Sequence, residues 1–201
     1  ELAVRLKDGV IEEGMRVRVD CRTEVIEMIN VENGETTDED RARAVDVVVL
    51  SHLHFDHVGN NEMFPNAKFV VQKDELPQGL TPPSFCMYYY PEYSHKIKEV
   101  EDQLQIIDGD FELDDRVKLL KIGGHTPGCQ VVMVETGEGT VCLTSDIMYN
   151  YKNLELNWPT GSWWDVRELM RGYDRIRSES DIIVPEHDWK FLSLYPSGTI
   201  G

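Results

Sequence analysis

The chain has 201 residues and a formal net charge of -17 at pH 7, from 20 lysines and arginines against 37 aspartates and glutamates. Nucleic-acid-binding proteins present a basic surface, so this charge argues against a nucleic-acid partner and against attachment to an anionic membrane. The length suits a single domain over residues 1–201, and no apolar run in the sequence is long enough to span a bilayer.

The amino-terminal part of the chain carries weak signals. Residues 2–19 alternate loosely between apolar and polar side chains around the turn signals Asp8-Gly9 and Glu13-Gly14, which predicts two short strands. Thr37-Asp38-Glu39-Asp40 is typical of a helix start. The run from Val45 to Leu50 is almost wholly apolar and rich in valine, so it predicts a strand that is buried on both faces.

Three histidines and one aspartate follow this strand within six residues: His52, His54, Asp56 and His57. In α/β proteins, ligands usually bind at strand ends. His52 and His54 are two residues apart, so an extended backbone points both rings to the same side. A turn after His54 would bring Asp56 and His57 to a second point close to the first. Imidazole and carboxylate are ligands for zinc and similar ions, and this spacing suits two ions better than one.

The middle of the chain predicts a short helix or turn over residues 60–65 and a strand from Ala67 to Gln72. The stretch from Gly79 to Tyr93 mixes aromatic residues with prolines, which indicates an ordered loop or a lid. Its aromatic part, Phe85 to Tyr93, either forms an apolar wall beside the metal site or packs on the core or in an oligomer interface. Ser94 to Gln105 has helical spacing.

The carboxyl-terminal half repeats one placement, in which a predicted strand ends just before a possible ligand. Val117 to Ile122 precedes His125, and Asp181 to Val184 precedes His187. The predicted hairpin strands, Gln130 to Glu135 and Thr140 to Thr144, surround Gly137-Glu138-Gly139, and the second strand precedes Asp146. The segment from Trp163 to Arg177 has the clearest amphipathic helical pattern in the chain. The sequence thus predicts an α/β fold with four strand ends at one site.

His52-Leu53-His54-Phe55-Asp56-His57 resembles the HxHxDH signature of the metallo-β-lactamase superfamily. Further segments that resemble this superfamily follow in the same order: Gly124-His125-Thr126-Pro127-Gly128, Ser145-Asp146 and Glu186-His187-Asp188. The branch that it resembles most is that of the N-acyl homoserine lactonases. The resemblance covers the chain from about Val45 to the end. It implies a four-layer αββα sandwich, with an amino-terminal part shortened by a strand or more.

The resemblance also implies the roles of the site residues. Metal 1 would be bound by His52, His54 and His125. Metal 2 would be bound by Asp56, His57 and His187. Asp146 would bridge both ions. Two zinc ions are expected. Because no cysteine belongs to this set, zinc is not uniquely selected, and manganese, iron or cobalt are alternatives. Tyr149, three positions after Asp146, would donate a hydrogen bond to the substrate carbonyl.

The activity that the resemblance implies is hydrolysis of a lactone ring, as in quorum quenching by cleavage of N-acyl homoserine lactones or related lactones. A metal-bridging hydroxide would attack the carbonyl, and Asp56 would relay a proton. An apolar wall formed by Phe85 to Tyr93 with Trp158, Trp163 and Trp164 would hold an acyl chain or a flat ring.

Two other functions stay open. A thioester hydrolase of the glyoxalase II type uses the same ligands but usually adds a basic tail, and Lys190 to Gly201 contains one lysine. A non-catalytic metal-binding scaffold would be expected to have lost a ligand, and all seven are present. Two residues depart from the lactonase pattern. Cys129 stands where many lactonases have histidine, and Glu186 stands where glycine or serine is commoner. Neither position is a required ligand.

The four cysteines form no CxxC pair and match no disulfide framework. The sequence shows no recognisable signal peptide, so we expect reduced thiols and a cytoplasmic location. The expected partner is a small-molecule lactone substrate, and we expect a monomer or a homodimer.

Overall fold

The computed structural model of the protein describes residues 2–4, 16–20, 25–29, 42–43, 45–84, 94–197 and 199–200. The chain divides into two compact units, residues 1–107 and residues 108–201. Each unit is built around a β-sheet, and the single domain over residues 1–201 stays a prediction. Among the described residues, no helix is both long enough and apolar enough to cross a membrane.

The sheet of the first unit mixes parallel and antiparallel pairs. The strands that residues 1–107 contribute to it are, in spatial order, β2 (Arg16–Asp20), β3 (Val25–Ile29), β1 (Leu2–Val4), β4 (Val47–Val49), β5 (Lys68–Gln72) and β6 (Leu104–Ile107). Strands β4, β5 and β6 are parallel, and β1 pairs antiparallel with β4. Strands β1 and β2 confirm the two predicted near the start, whereas β3 was not predicted. The turn signals at residues 8–9 and 13–14 and the helix start at residues 37–40 lie outside the described residues.

Strand β4 confirms the strand predicted from the apolar run. Val48, Val49 and Leu50 are fully buried. A strand that is covered on both faces has no polar side, which is why its residues form a continuous apolar run rather than an alternating one. The Leu50 amide donates to the Val70 carbonyl at 3.0 Å, so pairing with β5 continues beyond β4 towards the histidine motif.

Short helices connect these strands. They are α1 (Phe55–Val58), α2 (Leu76–Leu80) and α3 (Ser94–Glu99), with 3-10 turns at Asn61–Met63, Lys73–Glu75 and Glu101–Gln103. The predictions for residues 60–65 and for Ala67 to Gln72 are confirmed. Residues 85–93, the aromatic part of the predicted loop or lid, lie outside the described residues.

The helix predicted from Ser94 to Gln105 was too long. Ile97 and Val100 are buried at helical spacing, as predicted. Leu104 and Gln105, however, belong to β6, which pairs in parallel with β5. A hydrogen-bonded place in the sheet outweighs the local spacing, because that spacing carries no information about a strand thirty residues away.

The sheet of the second unit is mostly antiparallel. In spatial order it contains β11 (Ile182–Val184), β10 (Gly139–Leu143), β9 (Gln130–Thr136), β8 (Val117–Lys121) and β7 (Phe111–Glu112). Strands β9 and β10 form the predicted hairpin, and β11 joins β10 in parallel. The helices are α4 (Tyr151–Leu156), α5 (Val166–Glu179) and α6 (Lys190–Leu194), with a 3-10 turn at Ser145–Ile147 and a last strand, β12, at Thr199–Ile200.

Helix α5 supports the site-bearing loops of this unit. Its buried face is formed by Leu169, Tyr173 and Ile176, at the predicted spacing. The helix begins three residues later than predicted, because the Asp165 side chain accepts the amides of Arg167 and Glu168 and so caps the first turn. The preceding residues Trp163 and Trp164 are exposed and lie outside the helix.

Candidate metal centre

In the first unit, two histidine side chains that follow strand β4 face each other. His52 and His54 are buried, and His52 Nε2 lies 3.0 Å from His54 Nδ1. Two nitrogens on one tetrahedral zinc, each about 2.0–2.1 Å from the ion, are separated by about 3.3 Å. The two rings are therefore spaced as ligands of a single ion, which agrees with their predicted side-by-side orientation.

The predicted turn after His54 is confirmed. It is the single helical turn α1, and the His57 amide donates to the His54 carbonyl at 3.0 Å. The turn brings the buried His57 ring to 4.0 Å from the His52 ring, measured between centroids. Asp56 Oδ2 lies 3.7 Å from His57 Nε2, and the Asp56 side chain is the exposed member of the group. One turn thus gathers all four predicted donors of this unit.

Leu53, which separates the first two histidines, is held by residues 73–80. Its amide donates to Glu75 Oε2 at 3.1 Å, and Glu75 is fully buried. Its side chain packs on helix α2, where a Cβ at Gly79 would lie 2.5 Å from Leu53 Cδ1. Because alternate side chains of an extended chain point to opposite sides, anchoring Leu53 on one side orients both imidazoles on the other. Nothing in the sequence near the motif marks Glu75 for this role.

In the second unit, a glycine pair carries His125. Gly123 and Gly124 have φ angles of 71° and 81°, a backbone region that favours glycine. The Gly124 amide donates to Glu168 Oε2 at 3.0 Å, and the Gly124 carbonyl accepts the Trp164 amide at 2.7 Å. These bonds tie the loop to the start of helix α5, so the position of His125 depends on that helix.

The tautomer of His125 suits metal binding. Its Nδ1 lies 2.9 Å from the Ser162 carbonyl oxygen, which can only accept a hydrogen bond. Nδ1 is therefore the protonated nitrogen, and the Nε2 lone pair is available to an ion. His125 is buried, and its Nε2 points at Asp146.

Asp146 faces two different histidines with its two carboxylate oxygens. Oδ1 lies 2.9 Å from His187 Nε2, and Oδ2 lies 3.4 Å from His125 Nε2. The residue sits in the 3-10 turn that follows β10, directly after Ser145, whose φ of 46° is unusual for a residue other than glycine. Such a buried carboxylate, with one oxygen towards each imidazole, could hold a cation together with either histidine.

Glu186 also belongs to this cluster, although the sequence analysis did not include it among the ligands. Ligand atoms of Asp146, Glu186 and His187 all lie within 4.8 Å of one another. The family pattern, which commonly has a small residue at this position, gave no reason to expect a donor there. The strand end before His187 was the available signal, since it places both residues beside Asp146.

Tyr149 lies beside the same histidines. Its ring centroid is 5.2 Å from that of His187 and 6.2 Å from that of His125, both in edge-to-face orientation. The Tyr149 carbonyl accepts the His187 amide at 3.0 Å, which fixes the two residues relative to each other. The predicted donors of the second unit, together with Tyr149, therefore come together, while their individual roles stay predictions.

The donors in both units are imidazole nitrogens and carboxylate oxygens. Such sets suit divalent zinc, manganese, iron or cobalt, and they do not distinguish sharply among these metals. The cysteines with described side chains, Cys129 and Cys142, are buried, and burial raises the pKa of the Cys142 thiol well above its usual range. Cys142 is therefore a core residue and not a thiolate donor.

Comparison with known proteins agrees with this geometry. The family model described as "Metallo-beta-lactamase superfamily" matches residues 20–187. An N-acyl homoserine lactonase of Bacillus thuringiensis is 32% identical over 145 residues, which cover 70% of this chain and 55% of that protein. A Bacillus sp. N-acyl homoserine lactonase is 36% identical over the same length, with the same coverage. The chain thus spans about half the length of these curated relatives.

A solved structure of an N-acyl homoserine lactone hydrolase, with the product N-hexanoyl-L-homoserine bound at its catalytic metal centre, superposes with a TM-score of 0.61. It is 28% identical to this chain, and the match covers 79% of this chain and 66% of that one. These findings confirm the resemblance inferred from the HxHxDH motif and the mixed α/β fold that it implied. The chain belongs to the metallo-β-lactamase superfamily.

Proposed function

We propose that this protein is a metal-dependent hydrolase that opens a lactone ring, in an N-acyl homoserine lactone or a related lactone. The observation that carries the proposal is the division of the Asp146 carboxylate between His125 and His187, because a carboxylate with one oxygen towards each imidazole is suited to be shared by two metal ions. The relatives named above, which are N-acyl homoserine lactonases, support lactones as the substrate class.

In this proposal, the protein holds a dinuclear metal centre. Membership of the superfamily supports the ligand set, since its model matches residues 20–187. The ligands of metal 1 are His52, His54 and His125, those of metal 2 are Asp56, His57 and His187, and Asp146 is shared. Zinc is the proposed metal, with manganese, iron and cobalt as alternatives that the donors also accept.

Divalent ions bound at this centre would lower the pKa of a water molecule and polarise a carbonyl group. In this proposal, side chains of the protein stabilise the developing charge, transfer the proton and contact the substrate. The phenolic hydroxyl of Tyr149 donates a hydrogen bond to the carbonyl oxygen, so it stabilises the negative charge that develops there. The exposed carboxylate of Asp56 accepts a proton and passes it to the departing alkoxide. Trp158 and Trp163, which are exposed, offer apolar surface to an acyl chain.

Further details belong to the same proposal. Cleavage of acyl homoserine lactones would make the protein a quorum-quenching enzyme. We propose a cytoplasmic location, because the cysteine spacing in the sequence matches no disulfide framework. We propose a monomer or a homodimer that acts on a small-molecule lactone, without a nucleic-acid or membrane partner.

The test combines metal analysis with a substrate screen. Protein purified without chelator should contain about two divalent ions per chain, and it should hydrolyse lactones in preference to thioesters and phosphodiesters. Asp146→Ala should lose the ions. Asp114→Ala is its matched control and should keep them, because the Asp114 carboxylate accepts the amides of Arg116 and Val117 and belongs to neither donor cluster. Folded protein without metal would refute the dinuclear centre. Two ions with thioesterase but no lactonase activity would favour the glyoxalase II alternative.

A further inference from the structure

Glu186 puts an additional carboxylate beside one half of the proposed centre. Its carboxylate, an Asp146 oxygen and a His187 nitrogen lie within 4.8 Å of one another. Two of these donors are fixed: His187 Nε2 is 2.9 Å from Asp146 Oδ1, and the His187 amide is bonded to the Tyr149 carbonyl. Glu186 is therefore next to a rigid pair of ligands and is itself partly buried.

The electrostatics of this cluster favour a cation. Asp146 is 5% exposed, so its charge is poorly screened by water. A second carboxylate within 4.8 Å adds repulsion unless positive charge lies between the two. Glycine or serine at position 186, as is commoner in the lactonase pattern, would bring neither this charge nor an additional strong donor. The arrangement is thus a property of this sequence beyond the shared motif.

We propose that Glu186 is an additional ligand of metal 2 and that it biases this position towards manganese or iron rather than zinc. The inference rests on the proposed dinuclear centre. With Glu186, the oxygen donors of metal 2 come from three carboxylates, those of Asp56, Asp146 and Glu186. Metal 1 keeps three imidazoles and the single Asp146 oxygen. Carboxylate-rich sets suit manganese, whereas imidazole-rich sets suit zinc, so the two positions should select different ions.

The experiment is a competition between metals, read by elemental analysis rather than by activity. Metal-free protein is equilibrated with Zn²⁺ and a large excess of Mn²⁺, because most donor sets bind Zn²⁺ more tightly than Mn²⁺. It is then freed of loose ions and analysed for both metals. The variants are Glu186→Gly, which restores the commoner residue, and Glu186→Gln, which keeps the side-chain shape and removes the charge. Glu135→Gln is the control, because it removes one negative charge from strand β9, where the carboxylate accepts the Thr140 hydroxyl.

The parent protein and Glu135→Gln should retain about one manganese and one zinc per chain. Both Glu186 variants should still hold two ions, with the ratio of manganese to zinc lowered about tenfold or more, the scale on which changes around a metal alter its affinity. Manganese electron paramagnetic resonance should show the loss of the bound-ion signal in the same samples. If both variants hold two ions at an unchanged ratio of manganese to zinc, the inference about Glu186 is refuted while the dinuclear centre stands. Parent protein that holds no metal would overturn the dinuclear centre as well.

Discussion

Replacing Gly124 by alanine tests how His125 is held in place. An added Cβ would overlap the Leu169 backbone nitrogen and lie 2.5 Å from the Leu169 Cα, so it would push the loop away from helix α5. Because the atoms that it meets are backbone, no side-chain rotation relieves the contact. The Gly124 carbonyl also accepts the amides of Trp164 and Asp165, and both bonds would lengthen as the loop moves.

The expected loss of stability has two parts. Alanine at the Gly124 φ of 81° costs about 1–2 kcal/mol, because its Cβ disfavours the left-handed region. Relieving the overlap with the helix costs a further 1–3 kcal/mol or so, the usual range for overpacking. The sum, about 2–5 kcal/mol, is a large fraction of the roughly 5–15 kcal/mol that stabilises a typical domain. We expect the variant to fold less stably and to release metal 1 more readily.

Gly109→Ala separates the backbone cost of alanine at a positive φ from the cost of the overlap with the helix. Gly109 has a φ of 97°, and an added Cβ there would meet no atom within 4 Å, so this variant carries the backbone cost without the overlap. Urea denaturation of both variants, beside metal retention against a chelator, measures the difference. Equal destabilisation of the two variants, with metal retained in both, would refute the close approach of the His125 loop to helix α5.

Three other changes test separate parts of the molecule. Asp146→Ala should lose both ions and activity together, and elemental analysis that still found two ions would exclude Asp146 as the bridge. Tyr149→Phe should lower kcat/KM for a lactone about 10- to 1,000-fold at unchanged metal content, and unchanged kinetics would return Tyr149 to a packing role. The hydrogen bond from Arg175 lowers the pKa of Asp110, so this pair stabilises the fold above the ordinary Asp pKa and the effect fades as the pH falls through the lowered pKa. Asp110→Asn should therefore cost less than about 1 kcal/mol near neutral pH, since the pair is partly exposed, and urea denaturation should show the difference shrinking in acid; a growing difference would contradict this.

Local patterns in the sequence predicted the elements that carry the site. The apolar run before the motif and the segment from Val117 to Ile122 are both strands, as predicted, because burial leaves a direct trace in the order of side chains. The hairpin and the burial pattern of helix α5 followed for the same reason. The metal-binding motifs then marked which strand ends matter.

The features that were missed depend on contacts between distant residues. Leu104 fits a helical pattern but pairs with Phe69, and only the position of β5 decides between helix and strand. Glu75 is fully buried and bonds to an amide 22 residues earlier in the chain, which no local pattern reveals. Glu186 was discounted because the commoner residue at its position is small. Each of these residues acquires its role from a neighbour that sequence spacing does not specify.

The residues that hold the histidines in position all act in the same way. The ligand atoms themselves are short-range donors, and a misplacement of a fraction of an ångström matters to an ion. The backbone that carries them is accordingly fixed by groups that do not touch the ion: Glu75 and Gly79 hold Leu53, and helix α5 holds Gly124. The Ser162 carbonyl also selects the His125 tautomer before any metal binds. Since these contacts involve protein atoms alone, folding itself sets the geometry of each donor cluster. Metal binding therefore does not have to order the ligands.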